Sequence, residues 1–183
     1  MDICGWMSDR ELLWLSDRAK KCDLIIEIGT WLGRSAYAMG ETVLGKVITI
    51  DNFSLEEILS KIPKADRKIS WAIKMDNREE DWLYHQCLAN LDSLIKVGKV
   101  EVIRGNSSEA IKDLQSLKAD MVFIDGCHEY ESVKEDIINY MSLVKKGGMI
   151  CGHDFAGEVK QAVLEILPKA RVVRKTSIWY CGL

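Results

Sequence analysis

Short apolar, β-branched runs recur along the chain at Leu24 to Ile28, Val47 to Ile50, Val100 to Ile103, Met121 to Ile124 and Met149 to Cys151. Turn residues bound each run, and the intervals leave room for helices. Runs of this kind are what central parallel strands look like when helices cover both faces of a sheet. The alternation therefore predicts an α/β fold. The last part of the chain reads differently: Arg171 to Cys181 gives two strands turning near Thr176-Ser177, a hairpin with no helix between its arms. Together these runs predict a mostly parallel seven-stranded sheet with helices on both faces and a C-terminal antiparallel hairpin.

Helix signals fall between the runs. Ser8-Asp-Arg-Glu11 is a capping box, in which the Ser and Glu side chains satisfy backbone donors at a helix start. It predicts a helix from about Ser8 to Lys20 within an N-terminal segment, residues 1–22. Ser54-Leu-Glu-Glu57 is a second box, and Pro63 ends that helix shortly after. A longer helical pattern in 64–95 starts near Asp76-Asn77 and carries Trp82, Leu83, Leu88, Leu91 and Leu94. Residues 52–95 thus form an unusually long helical insertion between the second and third strands. Connections of that length are often functional, which makes it the candidate substrate lid. Simple packing of Trp71 and Trp82 on the sheet is the alternative, since aromatics at helical spacing are usually core.

Composition narrows the picture. With 183 residues, 48% of them apolar, the chain suits one domain, 1–183, able to bury a sizeable core. The net charge is -3, with acids and bases interleaved. The densest basic stretches, Lys61 to Lys68 and Arg171 to Lys175, are too short for a nucleic-acid groove, so a small-molecule partner is expected. No run is long enough to span a membrane, and the N-terminus lacks the basic region of a signal peptide. Six cysteines (Cys4, Cys22, Cys87, Cys127, Cys151, Cys181) show no C-x-x-C or metal spacing. They suit reduced thiols and a cytoplasmic location, and a core this apolar needs no disulfide framework. Nothing in the sequence fixes the oligomeric state, and a homo-oligomer is compatible with it.

The first strand ends at Glu27-Ile28, and Gly29-Thr-Trp-Leu-Gly33-Arg-Ser35 leads into a helix reaching about Gly40. Ligands of open α/β sheets bind outside the carboxyl ends of strands where the strand order reverses, usually at the first such turn. Glycines let the backbone approach a ligand closely. The helix N-terminus offers free N–H groups to an anion such as the carboxylate of a methionine moiety. The dinucleotide fingerprint G-x-G-x-x-G does not fit in either register. From Gly29 its second and third glycines would be Trp31 and Arg34; with Gly29 second, its first and third would be Glu27 and Leu32. NAD is thereby disfavoured. The pattern E-x-G-x-x-x-G instead resembles motif I of class I methyltransferases, although a turn serving packing alone would look similar.

That resemblance implies S-adenosylmethionine as cofactor. It gives Glu27 a part in holding the methionine end and makes Gly29, Thr30, Gly33 and Ser35 the cofactor turn. Asp51 ends the second strand, where a carboxylate can accept hydrogen bonds from both ribose hydroxyls; a turn-forming Asp-Asn pair is the alternative. Arg104-Gly-Asn106-Ser107-Ser108-Glu109 opens another helix, and in enzymes of the resembled class the equivalent turn contacts the adenine. Asn106 is the leading residue there, with Ser107 beside it, and Ser107 or Ser108 also suits a helix cap.

The most specific stretch is Ile124-Asp125-Gly-Cys-His128-Glu-Tyr130-Glu-Ser-Val133, then Asp136-Ile137, then Gly147-Gly-Met-Ile-Cys-Gly-His153-Asp154-Phe155. It resembles the branch of class I methyltransferases that includes macrocin-type sugar O-methyltransferases and, more distantly, catechol O-methyltransferase. The resemblance runs from about residue 24 to 155 and implies a Rossmann-like fold. A neutral hydroxyl is a poor nucleophile, so such an enzyme must lower its pKa, remove its proton, or both. Asp125 and Asp154, at the ends of the fourth and fifth strands, share a rim with the cofactor turn, and Asp125 borders the cofactor too. Two carboxylates there can hold Mg²⁺ or another divalent cation, and the resemblance implies a metal at these strand ends. His128 titrates near neutrality and is the candidate general base; orienting a loop or starting a helix is the alternative. Asp154 suits both ligand and cap of the helix running to Leu167. The sequence departs from the catechol-type pattern in having His153-Asp154 where adjacent Asp-Asn or Asp-Asp is expected. An imidazole at 153 either stays outside the metal shell or indicates a softer ion such as Mn²⁺. The expected activity is metal-assisted transfer of a methyl group to a small-molecule hydroxyl of sugar or polyol type; a non-catalytic S-adenosylmethionine- or nucleotide-binding domain of the same fold, or a metal-independent methyltransferase, is the alternative.

Overall fold

The computed structural model describes residues 3–54 and 81–183. Strands β1 (Leu24–Ile28), β2 (Lys46–Asp51), β3 (Val100–Arg104), β4 (Ala119–Ile124), β5 (Val144–Gly152), β6 (Arg171–Val172) and β7 (Trp179–Gly182) form one sheet. Its order is β3-β2-β1-β4-β5-β7-β6. The first five strands run parallel, whereas β7 is antiparallel to both β5 and β6. The expected seven-stranded sheet and terminal hairpin are therefore present. Strand order reverses between β1 and β4, because β2 and β3 lie on one side of β1 and β4 on the other.

Helices α1 (Asp9–Ala19), α2 (Arg34–Gly40), α3 (Trp82–Lys96), α4 (Ser107–Leu114), α5 (Tyr130–Met141) and α6 (Gly157–Ile166) complete the described elements. Period-two alternation along the strands distributes side chains between two cores. On one face Ile25, Val47, Met121, Phe123 and Cys151 pack with Leu15 of α1, Met39 of α2 and Leu83 and Leu91 of α3. On the other face Ile26, Ile48, Val122 and Ile124 pack with Ile137 and Tyr140 of α5 and Val163 of α6. Burial on both faces explains why the strands read as near-continuous apolar runs.

Two helix starts differ from the sequence expectation. Asp154 does not cap α6: it sits at φ 51, and the chain enters the helix only after Ala156, in extended conformation at the cap position. Asn106, rather than Ser107 or Ser108, occupies the cap position of α4. The helix expected between Ser54 and Pro63, the start near Asp76-Asn77, and Trp71 lie outside the described residues, as does most of the candidate lid. Among the described residues no helix is long and apolar enough to cross a membrane.

Phe123 is fully buried in the middle of the sheet. Replacing it by Ala is expected to destabilise the fold by about 3–5 kcal/mol, measured as a lower urea midpoint with an unchanged denaturant slope.

Candidate functional site

The carboxyl ends of β1, β2 and β4 are level, since Ile28 pairs with both Ile50 and Ile124. Above them opens a cavity of about 1120 Å³, lined by residues that include Gly29, Asp51, Asn106, Asp125, His128 and Asp154. Its floor is a meeting of two backbone turns. Gly29 N–H donates to the Ile50 carbonyl (2.9 Å) and Asp125 N–H to the Ile28 carbonyl (2.8 Å). A Cβ on Gly29 would lie 2.1 Å from the Asp125 carbonyl oxygen, and φ is +91°. Only glycine fits there.

The turn after Gly29 is held from two sides. Thr30 N–H (2.9 Å) and Trp31 N–H (2.8 Å) donate to Asp51 Oδ2, and Phe53 N–H (2.7 Å) donates to Asp51 Oδ1. On the other side Asn90 of α3 donates to the Leu32 carbonyl (2.8 Å), and a Cβ on Gly33 would lie 2.9 Å from Leu91. Asp51 is thus a staple of the turn as well as a residue of the cavity wall. Thr30, Ser35, Asn106, Ser107 and His153 also line that wall, whereas Glu27 and Gly33 do not.

Glu27 lies beneath the turn because it shares a sheet face with Ile25 and is paired in register with Thr49 and Phe123. It is fully buried. Thr49 Oγ1 donates to Glu27 Oε2 and stands 2.5 Å from Thr30 Oγ1, while Glu27 Oε1 has no hydrogen-bond partner. Burial pushes the Glu27 carboxyl up to about 8; the Ser35 and Thr49 hydroxyls oppose this, and the charges of Asp125 and Asp51 add to it. At the far wall Asn52 Nδ2 donates to Asn106 Oδ1 (3.2 Å), and Ser107 Oγ donates to Asp136 Oδ1 (2.6 Å). Burial raises Asp136 to about 6, against the Ser107 hydroxyl and with the help of Glu135. Its placement on the stripe Val133, Asp136, Ile137, Tyr140 of α5 was the sequence signal for a buried acid.

At the opposite end the loops after β4 and β5 converge. His128 Nε2 is 3.7 Å from Asp125 Oδ1 and 3.4 Å from Asp154 Oδ2. One ligand atom from each of these three residues lies within 4.8 Å of the others, a grouping able to hold a metal ion. Asp125, then burial working the other way, then the remaining charges set His128, whose pKa is raised. His153 is buried beneath them. Its Nδ1 is 3.2 Å from Asp154 Oδ1 and 3.6 Å from Asp125 Oδ1, and its Nε2 is 3.2 Å from Glu11 Oε1. Burial alone would lower its pKa, but the Asp154 hydrogen bond and the charges of Asp125, Asp154 and Glu11 raise it to about 9. Glu11 and Ser177, which complete this cluster, carried no sequence signal of a site role.

Comparison with known proteins bears on the same stretch. A family described as a methyltransferase domain matches residues 26–155, and no curated protein matches the chain. Solved structures of similar fold include an O-methyltransferase from Bacillus cereus in complex with S-adenosylhomocysteine, at 15% identity, 97% of this chain, 83% of that chain and TM-score 0.65. TomG from Streptomyces achromogenes, an O-methyltransferase involved in tomaymycin synthesis and bound to S-adenosylmethionine, matches at 16% identity over 97% and 81% of the two chains, TM-score 0.67. CalS11, a TDP-rhamnose 3′-O-methyltransferase of calicheamicin biosynthesis, matches at 15% identity over 93% and 76%, TM-score 0.60.

A carboxyl raised from 4.5 to about 8 keeps its proton in the folded state where the unfolded chain gives it up. That stability is fully present below the unfolded value and is lost as pH rises toward about 8. The Tm of the ligand-free protein is therefore expected to fall more steeply between pH 5 and 8 than that of Glu27→Gln. Parallel profiles would remove Glu27 as the source.

Proposed function

The chain belongs to the methyltransferase-domain family and is a class I S-adenosylmethionine-dependent methyltransferase, and from that premise we propose that it methylates a hydroxyl oxygen of a small molecule of sugar or polyol type with the help of a divalent cation. The observation that carries this reading is the convergence of Asp125, His128 and Asp154 on the rim beside the cofactor cavity. A methyl-transfer site on a softer nucleophile has no need of two carboxylates and an imidazole at that place.

The residues fit both groups. Gly29 lets the turn close directly on the Asp125 backbone to form the cavity floor, where any Cβ would clash, and the orphaned Oε1 of Glu27 is an acceptor beneath that turn. Asn106 and Ser107 form the wall assigned to the base. Two carboxylate oxygens suit a hard divalent cation such as Mg²⁺ or Mn²⁺. Asp125 and Asp154 hold it in this reading. His153 stays outside its shell, because both ring nitrogens face other partners, Ser177 and Glu11 on one side and the aspartates on the other.

When bound, S-adenosylmethionine supplies an electrophilic methyl group and the cation acidifies an oxygen that it contacts. His128 takes the proton of the acceptor hydroxyl on the ring nitrogen that does not face the aspartates, while Asp125 and Asp154, which face Nε2, orient the imidazole and stabilise its charge. The turn carrying Gly29 to Gly33 fixes the methyl donor relative to that oxygen, and such positioning provides much of the rate. The six scattered thiols, none of them in a disulfide, support a reducing, cytoplasmic setting.

The test is calorimetric titration with S-adenosylhomocysteine, followed by methyl-transfer assays on a panel of sugars and polyols in Mg²⁺ and in EDTA. Asp154→Ala is expected to bind S-adenosylhomocysteine as the wild type does. Its turnover should drop about 10²- to 10⁴-fold, and His128→Ala should lose a similar factor. Turnover that survives EDTA would retire the metal while leaving His128 as base; absence of S-adenosylhomocysteine binding would overturn the site assignment.

A further inference from the structure

Glu11 is a buried carboxylate, 6% exposed, at the start of α1. A glutamate that serves only a capping box lies at the surface, since carboxylates are rarely buried without a partner that requires it. The two oxygens of Glu11 divide their work. Oε2 accepts from Ser8 N–H (2.8 Å) and Ser8 Oγ (2.7 Å), which is the helix cap. Oε1 faces inward and accepts from Ser177 N–H (2.9 Å) and Ser177 Oγ (3.0 Å).

Ser177 in turn carries the loop after β5. Its carbonyl accepts from Phe155 N–H (3.0 Å), and its Oγ lies 2.8 Å from His153 Nε2. A hydroxyl has one proton. With that proton directed at Glu11, Ser177 Oγ accepts from His153 Nε2–H, which leaves Nδ1 turned toward Asp154 at 3.2 Å. Asp154 itself has φ 51, a left-handed conformation that a non-glycine residue holds only when its surroundings impose it. On either side of it the contacts of His153 and Phe155 to Ser177 act beside the His153 N–H bond to the Ile124 carbonyl (3.0 Å).

We propose that Glu11 is a positioning residue: acting through Ser177 and His153, it holds loop 153–155 so that the Asp154 carboxylate faces Asp125 and His128. The inference rests on the reading of that rim as a divalent-cation site, and it assigns to α1 and the β6–β7 hairpin a part in a centre built from β4 and β5. Partners of this outer kind orient ligating groups, and their loss costs metal affinity while leaving the cofactor turn intact.

The experiment is Mn²⁺ binding to the intact protein, read by electron paramagnetic resonance, beside S-adenosylhomocysteine affinity and Tm. Glu11→Ala is expected to weaken Mn²⁺ binding about 10- to 100-fold with unchanged S-adenosylhomocysteine affinity. Glu11→Gln, whose amide oxygen still accepts from Ser177, restores most of it. Ser177→Ala leaves the helix cap in place and lowers Mn²⁺ affinity like Glu11→Ala, so it decides the matter if Glu11→Ala fails to fold. Ser8→Ala removes only the cap partner, lowering Tm and leaving Mn²⁺ affinity alone. The inference is overturned if the wild type binds Mn²⁺ and Ser177→Ala binds it equally well, or if Ser8→Ala loses it as Glu11→Ala does. A wild type that binds S-adenosylhomocysteine but no Mn²⁺ overturns the cation reading and this inference together.

Discussion

Gly29 and the Asp125 carbonyl approach so closely that no side chain can stand between them. Two backbone hydrogen bonds, Gly29 N–H to the Ile50 carbonyl and Asp125 N–H to the Ile28 carbonyl, lock the approach into the sheet's own register. Because strand order reverses at this point, the two turns would otherwise splay apart over their respective helices. Their contact gives the cavity a continuous floor, with the cofactor turn on one side and the Asp125 to Asp154 rim on the other. The turn and the rim are placed relative to each other by main chain, which varies less than side-chain rotamers do.

A buried polar chain runs below that floor. Glu27, Thr49 and Thr30 are linked within a face that is otherwise apolar, and Asp51 gathers the N–H groups of Thr30 and Trp31 from above. Such networks are strong when every member is satisfied and costly when one is not. The orphaned Oε1 of Glu27 is the unsatisfied member, and burial favours the protonated carboxyl there.

Much of this was legible in the chain. Central strands buried on both faces leave a near-continuous apolar signature, which located β1 to β4 closely; β5 begins earlier than Met149 because its first part, Lys145-Lys-Gly-Gly, carries no apolar mark. The cofactor turn and the two aspartates announced themselves through glycines and acids at strand ends. What the chain concealed lies in backbone-mediated and long-range contacts. Asp51 binds N–H groups, which have no sequence identity. Asp154 fails as a cap because the local backbone is left-handed, and nothing in Asp-Phe-Ala-Gly specifies that. Glu11 and Ser177 are separated by 166 positions, and the capping box hid the buried oxygen of Glu11 behind a complete local explanation. Asp136 was within reach, as an acid on the apolar stripe of α5.

The antiparallel seating of β7 between β5 and β6 has a consequence for how the two sides of the cavity are supported. The hydrogen bonds that tie the cofactor turn to its neighbours come from β2 and α3, and Trp6 of the N-terminal segment packs against Trp31; none of these contacts involves the hairpin. Loop 153–155 depends instead on the hairpin, through the contacts of Phe155 and His153 with Ser177. A chain whose hairpin is loosened would thus keep the hydrogen bonds of the cofactor turn while losing those that hold the Asp154 side of the cavity.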